Sequence, residues 1–179
     1  MAIYYPVIRW KLGERAALVN LTPAVKDQIS PIIEFPFNCD YDDRKVTDFC
    51  NNASTDWGVG RPFYLDLSTV DFDDAPTGTD HPALELFRNA NRLGLELIPI
   101  FNVDIDPDLL IAIQDAYTDG LFRYIALRIT ENEDDAAADE ARDIIGETGI
   151  NIDEVDLIID LRDVSDGEFG CPTTQGFCP

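Results

Sequence analysis

Six polar residues, Lys11, Glu34, Asp66, Asn102, Arg128 and Asp160, each stand near the end of an apolar run, at intervals of 23 to 36 residues. Their types combine cations with carboxylates. Glu34, Asp66 and Asp160 could supply oxygen ligands to Mg²⁺ while Lys11 and Arg128 hold a phosphate. Those are the parts of metal-assisted phosphoester hydrolysis, in which metal and cations stabilise developing negative charge. A desolvated Lys11 could instead serve as an amine nucleophile. A third reading needs no turnover: alternating charges satisfy one another at the strand ends and fix their geometry.

Histidine-based hydrolysis is a poor fit, because the single histidine, His81, sits beside Pro82 at a helix start, where capping or exposure explains it. Glu14, just past Gly13, reads as a first-turn helix carboxylate near enough to Lys11 to pair with it. Arg9 is co-facial with Lys11 by alternation and is a weaker site candidate, whereas Arg162 is near a strand end without that relation. Trp10 and Trp57 read as packing residues.

The elements that must position these groups are apolar runs of strand length: Tyr5–Trp10, Pro31–Phe35, Phe63–Leu67, Leu97–Val103, Phe122–Ile129 and Val155–Leu161. Between them lie helix signals. "DHPALELFRNANRLG" has Asp80 or His81 as cap, Pro82 in the first turn, apolar Leu84, Phe87 and Leu93, and Gly94 as stop. Asp106-Pro107 opens a second helix, with Leu109, Leu110, Ile113, Ala116 and Tyr117 on one face and Gly120 at its end. Thr22-Pro23 starts "TPAVKDQI", Gly13-Glu14 turns the first run into a helix, and "ENEDDAAADEARDIIG" reads as a solvated helix with early carboxylates.

Repeated strand and helix mean parallel strands joined by crossovers, an α/β fold. Period-two alternation puts Glu34 on a face with Ile32, Asp66 with Tyr64, Arg128 with Ala126 and Asp160 with Ile158. A doubly wound open sheet would concentrate its polar residues at one switch point. A (β/α) barrel gathers every strand end around one mouth, so the TIM-barrel-like architecture is preferred and the open sheet is the alternative. Gly58-Val59-Gly60 precedes a strand instead of following one, which makes it a poor dinucleotide fingerprint. Eight strands usually take roughly 250 residues; this chain has 179, so about six βα units and an incomplete barrel are expected. One domain over residues 1–164 and an irregular tail over 165–179 follow. Two open sheet edges would favour homo-oligomers or poor solubility.

Hydrophobic residues make up 45% of the chain, enough for a globular core, and the formal net charge is -22. Such acidity argues against nucleic acid and anionic membrane as partners. Lysine is confined to Lys11, Lys26 and Lys45, a bias consistent with high-salt adaptation or simply with an acidic cytoplasmic protein. No signal peptide or spanning stretch is legible, so a cytoplasmic location is expected. Cys39, Cys50, Cys171 and Cys178 form no C-x-x-C pair, which speaks for reduced thiols and against zinc; a Cys171–Cys178 disulfide is the alternative in the tail.

Tyr4-Tyr5-Pro6, Lys11, Gly13-Glu14, Ala17-Leu18 and "LTPAVKDQISPIIEFP" resemble the start of the "beta protein" family of bacteriophages and bacteria. "GRPFYLDLS", "HPALELFRNANRLGLELIPI" and "EVDLIIDLRD" are similar to its later segments, so the resemblance spans most of residues 4–163. Members with this pattern are substantially longer, and the stretch from Ser165 departs from it, which implies a shortened chain. The resemblance implies a phage-borne accessory factor, linked to phage defence, that moderates a co-encoded toxic or phage-excluding product. It brings no catalytic residues with it.

Overall fold

The computed structural model describes residues 4–35, 43–68, 81–130 and 137–160. β1 (Val7–Arg9) leads into α1 (Leu12–Asn20) and α2 (Pro23–Lys26), and β2 (Ile32–Glu34) into α3 (Asp43–Asp56). β3 (Pro62–Asp66) is followed by α4 (Pro82–Arg92), β4 (Glu96–Phe101) by α5 (Pro107–Thr118), and β5 (Ile125–Thr130) by α6 (Ala137–Thr148). A 3-10 turn, Ile152–Glu154, then precedes β6 (Val155–Asp160).

The strands are parallel and lie side by side in chain order from β1 to β6. A doubly wound sheet reverses its order at a switch point. This sheet does not, so the open alternative falls away. Curvature is fixed by side chains that reach across it. Tyr64 on β3 donates to Asp156 on β6 at 2.6 Å, yet three strand spacings, about 14 Å in a flat sheet, separate those strands. Only a curled sheet brings them together, and the curl defines an inner face. Register shifts agree: β3 and β4 pair from their first residues, whereas β5 begins opposite the end of β4, with Ala126 beside Ile100. Such stagger accompanies strand tilt in barrels. Among the described residues β1 and β6 do not pair with each other, and the shape is a half-barrel of six parallel strands.

Alternation divides the apolar residues between two cores. Ile33, Phe63, Leu65, Leu97, Ile125 and Leu127 face the helices and join the larger one. Ile32, Tyr64, Ile98, Ile100 and Ala126, with Ile158 packed against them, fill the inner face. The co-facial pairs expected for Glu34, Asp66, Arg128 and Asp160 are therefore in place. On β6 the helix-facing Leu157 and Ile159 are 58% and 66% exposed, although their register partners Leu127 and Ile129 lie in or against the core.

Helix ends follow the local chemistry. His81 Nδ1 accepts from the Ala83 N–H at 3.1 Å, with Pro82 in the first turn. Asp106 Oδ1 accepts from the N–H groups of Asp108 and Leu109 at 2.8 and 3.1 Å. Gly94, at φ 71°, ends the α4 segment in the left-handed conformation that a Cβ disfavours. α3 is an element absent from the sequence reading: "DRKVTDFCNNASTD" is rich in poor helix formers. Its buried Val46, Phe49, Cys50 and Ala53, continued by Trp57, nevertheless recur at helical spacing. The tail, Arg162, Cys39, Cys171 and Cys178 lie outside the described residues.

Candidate functional site

The inner face at the carboxyl ends of the strands carries an ion-paired network. Asp66, the last residue of β3, is 1% exposed. Its Oδ1 accepts from the Ser68 N–H at 2.9 Å and the Ser68 hydroxyl at 2.6 Å. Its Oδ2 accepts from Arg128 Nη1. Arg128, reaching over β4 from β5, also donates through Nε and Nη2 to Asp160 Oδ2 at 3.1 and 2.6 Å. One guanidinium is thus held between two carboxylates from different strands. Burial alone would weaken the guanidinium's hold on its proton, but the hydrogen bonds and charges of Asp160 and Asp66 outweigh it and raise the pKa above the ordinary arginine value.

Two further pairs flank this centre. Register places Arg9, Glu34 and Asp66 in one row across β1, β2 and β3, and Arg9 Nε donates to Glu34 Oε2 at 3.3 Å. Glu34 therefore turns to Arg9, its neighbour on the edge strand. Deeper in, Tyr64 donates to Asp156; burial, then that hydrogen bond, raises the phenol's pKa well above its usual value.

Of the residues singled out from the sequence, Asp66, Arg128 and Asp160 meet, and Glu34 is bonded beside them. Lys11 and Asn102 do not join. β1 ends at Arg9, and the Lys11 N–H donates to the Arg9 carbonyl at 2.7 Å, so alternation stops before Lys11. Lys11 becomes the exposed N-cap position of α1. Asn102 follows β4, half-buried. The phosphate clamp of Lys11 with Arg128 is not assembled, since Nε, Nη1 and Nη2 of Arg128 all serve carboxylates. Among the described residues no group of three carboxylates, histidines or cysteines is placed to hold a metal; Arg128 stands between Asp66 and Asp160, and Arg9 engages Glu34. Sequence reasoning missed Ser68 and Asp156. Asp156 shares the alternation of Ile158 and Asp160, and a hydroxyl two residues after a strand-end aspartate is an ordinary local turn partner, so both signals were there.

An ion-paired inner face in a parallel α/β half-barrel defines the class of molecule. Within that class the chain belongs to the Beta protein family, whose model matches residues 4–172. A structure of the tryptophan synthase α2β2 complex from the hyperthermophile Pyrococcus furiosus is similar at 10% identity and a TM-score of 0.38, over 87% of this chain and 86% of that one. No curated protein matches the sequence. No helix among the described residues is long and apolar enough to cross a membrane.

Proposed function

We propose that the chain is a non-catalytic binding protein, an accessory factor that moderates or neutralises a toxic or phage-excluding protein. The observation that carries this reading is the closure of the inner-face network. Asp66, Arg128, Asp160, Glu34 and Tyr64 are all engaged with protein partners. A general base or metal ligand needs an oxygen available to substrate or ion, and using Asp66 in that way would mean breaking a buried pair. The work then falls to the outer surface. With a net charge of -22, that surface favours a partner with a basic face.

The test is co-expression of this chain with the product encoded beside it. The expected result is restored growth together with a salt-sensitive complex on size exclusion. The competing reading, Mg²⁺-dependent hydrolysis of a small phosphoester, is assayed with p-nitrophenyl phosphate. Turnover that needs Mg²⁺ and disappears in a folded Asp66→Asn variant would replace the binding proposal. Among the described residues β1 and β6 each pair with one strand only, which extends the proposal to self-association; light scattering would read it as a dimer mass.

A further inference from the structure

At the opposite end of the sheet, where β2 and β3 begin, a cavity of about 390 Å³ opens between the end of α2 and the turn after α3. Its size lies within the range of small-molecule sites. Ile29, Trp57, Val59 and Pro62 supply apolar wall; Lys26, Arg61 and Asp27 supply charge. Gly58 and Gly60, at φ 111° and 67°, turn the chain so that Val59 borders the opening.

The cations are only partly used. Lys26 Nζ donates to the carbonyls of Asp56 and Trp57 at 2.7 and 3.1 Å, capping the carboxyl end of α3. An ammonium has three donors; among the described residues the third makes no hydrogen bond, and Nζ lies 5.6 Å from the centroid of the Trp57 ring. Arg61 pairs with Asp27 through Nη1 alone, and among the described residues its other donors have no partner. Asp56 is outside the cavity lining, and its carboxylate accepts from Arg15 Nε at 2.7 Å, so its pull on Lys26 is shared with that guanidinium. Lys26 and Arg61 against Asp27 therefore leave one net positive charge at the cavity, in a protein whose overall charge is -22. The two cations also oppose each other: burial, then the Arg61 charge, lowers the Lys26 pKa against a weaker pull from Asp56. A bound anion would relieve that opposition.

We propose that this cavity binds a small organic monocarboxylate, its carboxylate taken by Lys26 and Arg61 and its apolar body set against Ile29, Val59 and Pro62. A single negative charge matches the single uncompensated positive one. Arg61 offers the planar fork that suits a carboxylate, and Lys26 a point charge held in place by the α3 carbonyls.

Benzoate is the probe, titrated into the whole chain and followed by amide chemical shifts. Saturable shifts at Val59, Gly60 and Arg61 are expected. Arg61→Gln removes the fork yet disturbs only a partly exposed pair, so the protein should stay folded; benzoate affinity should fall about tenfold or more, as for loss of a charged hydrogen bond. Val59→Glu, at an exposed wall position, should weaken binding similarly by placing a like charge at the opening. Lys11→Met, a charge loss of equal size at the other end of the sheet, should leave it unchanged. Absence of saturation at millimolar benzoate, equal binding by Arg61→Gln, or tighter binding of inorganic phosphate than of benzoate would overturn the assignment.

Discussion

Replacing Arg128 with methionine keeps most of the aliphatic volume and removes the cation from between Asp66 and Asp160. Two costs follow, and burial sets them apart. Asp66 is 1% exposed, so its charge would be stranded, and breaking a buried pair by deleting one partner typically costs about 3 to 5 kcal/mol. Asp160 is 24% exposed and can turn to water, so its share should be within about 1 kcal/mol. The two Ser68 donors remain on Asp66, which argues for the lower part of the buried range. A loss of about 3 to 4 kcal/mol in urea unfolding is therefore expected, a large fraction of the roughly 5 to 15 kcal/mol that holds a domain folded. Adding Asp66→Asn removes the stranded charge. The double variant should be less destabilised than the sum of the single ones, with a coupling of about 1 to 3 kcal/mol. Arg128→Lys keeps the charge but cannot reach both carboxylates as a fork, and should fall between wild type and Arg128→Met. If Arg128→Met unfolds within about 1 kcal/mol of wild type, the network contributes little to folding. If the same variant also abolishes a biological effect, the inner face is a working site and the structural account fails.

Other outcomes follow from single contacts. Phe49 meets the rings of Trp10, Phe35 and Phe63 at centroid distances of 5.1, 4.7 and 6.3 Å, so Phe49→Ala should cost about 3 to 5 kcal/mol in chemical denaturation. Burial pushes the Cys50 thiol up to about 12, Arg92 pulling it down and Glu85 adding to the rise; iodoacetamide at neutral pH should therefore label Cys50 only after unfolding, as read by peptide mapping. Burial lowers the His81 pKa, against the pull of Asp106 and Asp108, and the neutral ring is the form that caps α4. Below about pH 6.5 the unfolded chain takes the proton first, so this contribution is whole above that value and is lost as pH falls through the lower folded value. His81→Asn, a cap that does not titrate, should flatten the acid limb of the melting temperature against pH.

The strands were legible because a buried parallel strand is a short aliphatic run with a period of two. "PIIEFP", "FYLDLS" and "LIIDLR" each announce a strand and the face of its carboxylate. Strand order was legible only by inference, from polar groups on every strand end, and the chain-order sheet agrees with it. α3 escaped because its Asn, Ser, Thr and Asp residues weigh against a helix locally, while burial of Phe49, Cys50 and Trp57 decides for one. Lys11 was misread for a related reason. Alternation holds only while the chain stays extended, and the tight turn at Arg9 to Lys11 ended it two residues early. Which charges would pair was not legible at all, since the partners of Asp66 and Tyr64 lie 62 and 92 residues away in the chain and meet only because the sheet curls.

That curl bears on what the interior charges do for the fold. Among the described residues the inner core holds five buried residues with Ile158 against them, far fewer than the helix-side core, so apolar burial alone does little to specify how tightly the concave face closes. Tyr64 to Asp156 and Asp66 to Arg128 each bridge strands that are not neighbours. Such bonds have narrow distance and angle requirements, whereas apolar contact tolerates sliding. Buried ion pairs are poor sources of net stability and better suited to selecting one geometry among several. On this account the network sets the radius of the half-barrel, and loss of Arg128 should alter the spacing of β3 from β5 as well as the free energy of unfolding.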